Sequence, residues 1–390
     1  MDYSNLKYLE QVMQKEIDCG SIFGSAIQII HNNKVVYENE LGYAIKEKGV
    51  PVKKDTIYRM YSMSKPVTTV AAMILYERGQ LNLLSPVSDY LDGFKNQKVY
   101  TPNGLVEVNR QVTIKDLLNM TSGVVYPDMS YKVGQMMEEL YTSVADQCRV
   151  GKPVNTVDFC NMIGRQPLEF HPGEKWRYGA SADILGAVIE IITGKKFGQF
   201  LREEIFTPLG MVDTDFYVPA EKLNRFAEIY EYIEKNNRLE PCTWSFLGLG
   251  NFKEYPAFES GGAGLVSTIE DYSKFAQMLV NGGTYNDVRI LGKKTIEYIS
   301  KPQLNKQQEV DYNWDSQIGY SYGNLMRILV DPSKAGSNGS VGEFGWDGWT
   351  GNYFFVDPKE NLILIYMIQK CGGGNPSLIR ALRSILYGSL

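Results

Sequence analysis

The sequence predicts an α/β chain of the α+β kind, an antiparallel sheet flanked by helices together with a mainly helical lobe. Three observations carry this. Alternating apolar runs at about 24–31 and 34–42 meet at Asn32-Asn33, a pair suited to a tight hairpin. Strand-like runs return from about 318 to 368. Between these two blocks, from about 86 to 255, the pattern is one of helices and long loops. Residues 1–85 and 256–390 are therefore expected to form one discontinuous α/β lobe, with 86–255 as a helical or lid lobe and the active site at their seam.

Taken in order, an amphipathic helix is expected at about 4–18, then the hairpin, with His31 as a strand-end residue. A helix follows over Val67 to Arg78, apolar and of helical length, closed by Gly79 as a C-cap and admitting Pro66 in its first turn. Loops of the middle block, including the Tyr- and Met-rich stretch from Tyr126 to Tyr141 and the irregular stretch from Asn236 to Pro256, are expected to shape a pocket. The Pro172-Gly173 turn, with His171 a loop residue before it, leads to Tyr178 and an amphipathic helix. Strands resume near 264. Two antiparallel strands are joined at Asp357 to Asn361, and 376–390 reads as a closing helix.

The chemistry concentrates at Tyr58 to Pro66, where Ser62 and Lys65 stand three residues apart at a helix start. That spacing puts them on one face, so the amine can accept or steer the hydroxyl proton. The helix N-terminus offers N–H groups to a forming anion. The S-x-x-K tetrapeptide alone is weak, since Ser4 and Lys7 also match it in a polar segment with nothing catalytic around it. Only two histidines occur and no G-x-S-x-G elbow, so a Ser-His-Asp hydrolase is poorly supported.

Three ordered elements resemble the serine β-lactamases of the cephalosporinase type, their penicillin-binding relatives and the esterases on the same β-lactamase/transpeptidase-like scaffold. They are Ser62 with Lys65, the Pro-Gly turn before Tyr178, and Trp346-Asp347-Gly348 on a strand near the C-terminus. Val112 to Gly123, with Met120 where a histidine is usual, and the glycine-rich Glu259 to Gly283 extend the likeness to roughly residues 10–388. The resemblance implies Tyr178 as a base favoured as phenolate by the nearby cation. It also implies an oxyanion hole from the N–H groups of Ser62 and Trp349, and substrate contacts at Tyr61, Ala180, Trp346, Asp347 and Gly348. Strand alternation turns Asp347 away from Trp346, so a structural role suits it as well as a catalytic one.

Two departures argue function. Tyr178-Gly179-Ala180 lacks the asparagine of the family motif, and Trp346 stands where a lysine supplies positive charge near a substrate carboxylate. These features resemble the carboxylesterase and acyltransferase branch (family VIII). The expected reaction is a two-step acyl transfer through Ser62 on a small uncharged ester, with Lys65 and Tyr178 sharing the proton. A β-lactamase or D-amino-acid peptidase is the enzymatic rival, and an acyl-binding or sensor protein without turnover the non-enzymatic one.

Composition is consistent with this. A net charge of −5 over 390 residues, with mixed signs, gives no footprint for nucleic acid and no basic stretch for a membrane surface. Five cysteines without CxxC spacing suggest neither zinc nor a disulfide framework, and no cofactor is expected. No apolar run reaches membrane-spanning length and the first ten residues lack a signal-peptide core, so a cytoplasmic address is expected. The partner implied is a small-molecule ester or acyl donor; oligomeric state is left open.

Overall fold

Asn32 and Asn33 adopt positive φ, 51° and 59°, the backbone a two-residue hairpin turn requires. The chain therefore doubles back from β1 (Gly24–His31) to β2 (Lys34–Ile45). This is seen in a computed structural model that describes every residue except 1, 2, 245, 246 and 373. Of the irregular stretch 236–256, residues 245 and 246 thus lie outside the described residues. After β3 (Val50–Pro51), the remaining strands of the central sheet come from the last quarter of the chain. They are β4 (Tyr320–Gly323), β5 (Met326–Leu329), β6 (Phe344–Asp347), β7 (Tyr353–Asp357) and β8 (Leu362–Met367). The order across the sheet is β4-β5-β6-β7-β8-β1-β2-β3, and every pairing is antiparallel. β1 and β8 pair from Ala26 with Met367 to His31 with Leu362, so the two ends of the sequence meet mid-sheet.

Side-chain alternation divides the sheet into two faces. Ile27, Ile29, Leu364 and Tyr366 pack with Leu9 and Met13 of α1 (Lys7–Asp18), and with Leu382 and Leu386 of the C-terminal helix Pro376–Tyr387. The opposite residues Ala26, Ile30, Ile363 and Ile365 join Tyr272 and Phe275 of the helix Ile269–Val280. That second core continues through α2 (Ser64–Glu77) to Leu117, Leu118, Ile184 and Leu185 without a break. Each of these buried aliphatic side chains contributes roughly 1.5–3 kcal/mol.

Some elements differ from the sequence expectation. The strand expected near 264 is only Val266–Ser267, paired with Tyr58–Arg59, because the glycine turn before it packs against other backbone. The middle block also carries two small hairpins, Lys98–Thr101 with Gly104–Glu107 and Tyr230–Ile233 with Arg238–Pro241. Short polar strands of this kind leave no clear alternation to read. No helix among the described residues is long and apolar enough to cross a membrane.

One buried polar knot positions the site. The Arg59 carbonyl accepts from Asn352 Nδ2 at 2.8 Å, Gln369 Nε2 at 3.1 Å and Thr350 Oγ1 at 3.3 Å. Asn352 Oδ1 in turn accepts from the Ile368 N–H at 2.9 Å. The segment entering α2 is thereby tied to the turn between β6 and β7. Asn352→Ala leaves the buried Ile368 donor unpaired, so a urea unfolding series is expected to show a loss of about 2 kcal/mol. An unchanged midpoint would remove this knot from the account.

Candidate active site

Ser62 lies in a 3-10 turn, Tyr61–Met63, that leads directly into α2. Tyr61 has φ 45°, a conformation that costs a non-glycine residue on the order of 1–3 kcal/mol and needs surrounding structure to hold it. The turn is gripped from several sides. The Tyr61 ring packs edge-on against Phe252 and Trp349, the Tyr272 hydroxyl donates to the Met63 carbonyl at 2.9 Å, and Met60 N–H donates to Leu265 O. Gly348 is required here, because a Cβ on it would stand 2.5 Å from the Met60 carbonyl.

Lys65 is fully buried. Its Nζ lies 3.1 Å from Ser62 Oγ, 2.8 Å from the Gly262 carbonyl and 3.3 Å from the Tyr126 hydroxyl. Burial pushes its pKa down to about 7, with Asp183 and Asp347 opposing the shift. A neutral amine has two N–H bonds and one lone pair. Gly262 O and the Tyr126 oxygen can take the two N–H groups, which leaves the lone pair for the Ser62 proton.

Tyr178 stands on the other side of the nucleophile. Its hydroxyl is hydrogen-bonded to Ser62 and accepts the indole N–H of Trp346 at 3.1 Å. Burial holds its pKa above the ordinary 10, and these two hydrogen bonds only partly offset that. The expected cation-stabilised phenolate is therefore reversed. Desolvation brings the Lys65 amine to titrate near 7, which weakens its field, and acts directly on Tyr178 to favour the neutral phenol.

The resemblance did not point to Tyr126, Asp183 or Gly262. Asp183, almost wholly buried, accepts from Ser260 Oγ at 2.5 Å and from Gly262 N–H at 2.9 Å, and Tyr126 OH lies 3.5 Å from it. It fixes the glycine turn whose carbonyl holds Lys65. A Cβ on Gly262 would fall 2.5 Å from the Tyr126 hydroxyl, so the glycine allows the close approach. The paired Gly261-Gly262, and an acid three residues into the helix after Tyr178, were the available signals.

The other sequence-selected residues divide. Tyr61, Trp346, Asp347, Gly348 and Trp349 line a cleft of about 790 Å³ together with Ser62 and Tyr178. Asp347 pairs with the buried Arg327 at 3.2 Å while its side chain stays 40% exposed to the cleft. Trp346 is fully buried and its ring lies 5.7 Å from that of Tyr178. Ala180 does not contribute to the cleft wall: it is fully buried at the N-cap of the helix Ser181–Thr193, where the chain turns inward. His31 caps its strand, bonded to the Tyr3 hydroxyl, and His171 accepts from the Asn109 N–H in a loop.

A serine and a tyrosine on the cleft wall with a buried lysine beside them, on this sheet and helix arrangement, define a serine hydrolase of the beta-lactamase type. The chain belongs to the beta-lactamase family, whose family model matches residues 9–387. Among curated proteins it is similar to Esterase EstB of Burkholderia gladioli, 27% identical over 397 residues, with 97% of this chain and 94% of that protein covered. It is likewise similar to a putative D-alanyl-D-alanine carboxypeptidase of Escherichia coli strain K12, 25% identical over 390 residues, with 94% and 82% covered. Among solved structures it matches EstCE1, described as a hydrolase with promiscuous acyltransferase activity, with a TM-score of 0.84, 25% identity and 99% of both chains covered.

The electrostatics predict the pH profile. If the neutral amine is the active form, kcat/KM for an ester substrate should rise as the pH passes about 7 and stay level beyond 9. A profile that rises only above pH 10 would assign the proton transfer to a phenolate instead.

Proposed function

We propose that this protein is an esterase or acyltransferase that carries a small, uncharged acyl group on Ser62. The observation that carries the reading is the wall beside the nucleophile. Trp349 and Tyr178 present aromatic surface there, backed by the buried rings of Trp346 and Tyr61, and Asp347 is paired with Arg327. Such a wall favours an apolar acyl group, while the other cations of the cleft, Lys334, Arg380 and Arg383, come from 334–338 and the C-terminal helix rather than from the strand position of Trp346. Relatives named as an esterase and as a hydrolase with acyltransferase activity support the same reading.

In the mechanism proposed, Ser62 Oγ attacks the ester carbonyl and its proton passes to Lys65 Nζ. The N–H groups of Ser62 and Trp349 hold the oxyanion. The tetrahedral species collapses as the leaving alkoxide takes a proton, with Tyr178, bonded to Ser62, relaying it from Lys65. Water or an alcohol then attacks the acyl-enzyme by the reverse proton path. Tyr126 and the Gly262 carbonyl orient the amine.

Hydrolysis of p-nitrophenyl acetate and butyrate, measured beside nitrocefin, tests this. Ester turnover with little nitrocefin cleavage is expected, and Ser62→Ala should lose at least about a thousandfold. Tyr178→Phe should lose about a hundredfold or more in turnover while still folding, with a stability loss of about 1–3 kcal/mol from the Trp346 N–H it leaves unpaired. Strong nitrocefin cleavage would favour the lactamase or peptidase reading, and full activity in Tyr178→Phe would remove Tyr178 from the mechanism.

A further inference from the structure

From a second cavity behind the active-site tyrosines, we infer that the acyl acceptor is a hydroxyl-rich alcohol, a sugar or polyol, bound in that cavity. The inference rests on the acyl-transfer reading above. The cavity, about 430 Å³, shares Tyr126, Tyr178 and Trp314 with the main cleft but does not reach Ser62. An occupant therefore meets the reaction centre across the shared edge of Tyr126, Tyr178 and Trp314, and acts as acceptor by extending one hydroxyl past that edge to the acyl carbon on Ser62.

The two chambers differ in chemistry. The main cleft is more apolar, with Leu247, Ile318 and indole rings beside its charged groups, whereas Asp128, Arg177, Asp311 and Asn313 make the second mainly polar. An aliphatic alcohol placed there would strip water from these groups and return nothing. Trp176, 2% exposed, also lines this chamber, and its indole N–H is buried with no acceptor among the described residues. Such a donor costs about 1–3 kcal/mol until an oxygen meets it. Beside it Trp314, 40% exposed, stands edge-on to both Trp176 and Tyr178, with ring centres 5.2 and 5.3 Å away. An accessible aromatic surface beside carboxylates, an amide and an unpaired N–H suits a ring with an apolar C–H face and a rim of hydroxyls. One cation against two carboxylates gives no preference for an anionic acceptor.

In the transfer step the acceptor oxygen bonds to the acyl carbon and its proton passes to Lys65 Nζ. The bond from that carbon to Ser62 Oγ breaks, and Oγ takes the proton back. The product is the acceptor ester and the free enzyme, with no other reactant.

The test supplies p-nitrophenyl butyrate with methyl glucoside and n-butanol at equal concentration and measures both product esters. The glucoside ester should exceed the butyl ester by about tenfold, a difference of one good hydrogen bond. Asn313→Ala and Trp176→Phe should each bring that ratio toward one, and a ratio is insensitive to the fraction of protein that folds. Butyl ester in equal or greater amount, or a ratio unmoved by both variants, would overturn the inference. Saturation-transfer NMR with methyl glucoside on Ser62→Ala reads the chamber without turnover. A signal that Asn313→Ala abolishes supports the subsite, and no signal overturns it. Ester hydrolysis without transfer to a bound glucoside overturns the acceptor role and leaves the esterase reading standing, whereas no ester turnover at all overturns both.

Discussion

Lys65 is held out of water with its nitrogen between a serine, a tyrosine and a backbone carbonyl, and much of the surrounding architecture serves to keep it there. Asp183 fixes the glycine turn that supplies the carbonyl, and the glycines of that turn let Tyr126 and the helix Ser181–Thr193 approach. Burial takes away the charge a lysine ordinarily carries and yields an amine able to accept a proton near neutral pH. This arrangement costs stability. The unfolded chain binds a proton at Lys65 that the folded chain releases, so stability should rise with pH between about 7 and the ordinary lysine value of 10.5.

A second constraint is the strained turn that presents the nucleophile. Tyr61 adopts its left-handed conformation because its ring is wedged among Phe252 and Trp349 and because the Arg59 carbonyl is anchored to the turn after β6. The same turn carries Gly348 against Met60, so the strand bearing Trp346 and the helix bearing Lys65 are locked in one register. Nucleophile, amine and aromatic wall are thus set by backbone contacts between segments almost 300 residues apart in sequence.

Much of the fold was legible because its signals are local. Asn32-Asn33 marks a hairpin, Gly79 ends α2 with φ 68°, and 318–368 carries short apolar runs rich in aromatic and aliphatic residues, as buried sheet strands do. The Ser62, Lys65 and Tyr178 constellation was legible through order and spacing. Other features depend on three-dimensional neighbours that no spacing encodes. Nothing in the sequence around Tyr126 says that it meets Lys65, and the burial that reverses the protonation of Lys65 and Tyr178 comes from several distant segments. Ala180 was misjudged for a related reason: its motif position suggests the cleft, while the helix start that follows turns it into the core.

The central claim, that burial brings the Lys65 amine to titrate near neutral pH, is open to direct measurement. Lysine labelled with 13C at Cε gives one NMR signal per side chain, and Lys65→Met identifies the one that belongs to this site. Titration of that signal should show a midpoint near 7. A midpoint above 10 would mean that Lys65 remains a cation beside Ser62, and would return the role of base to Tyr178.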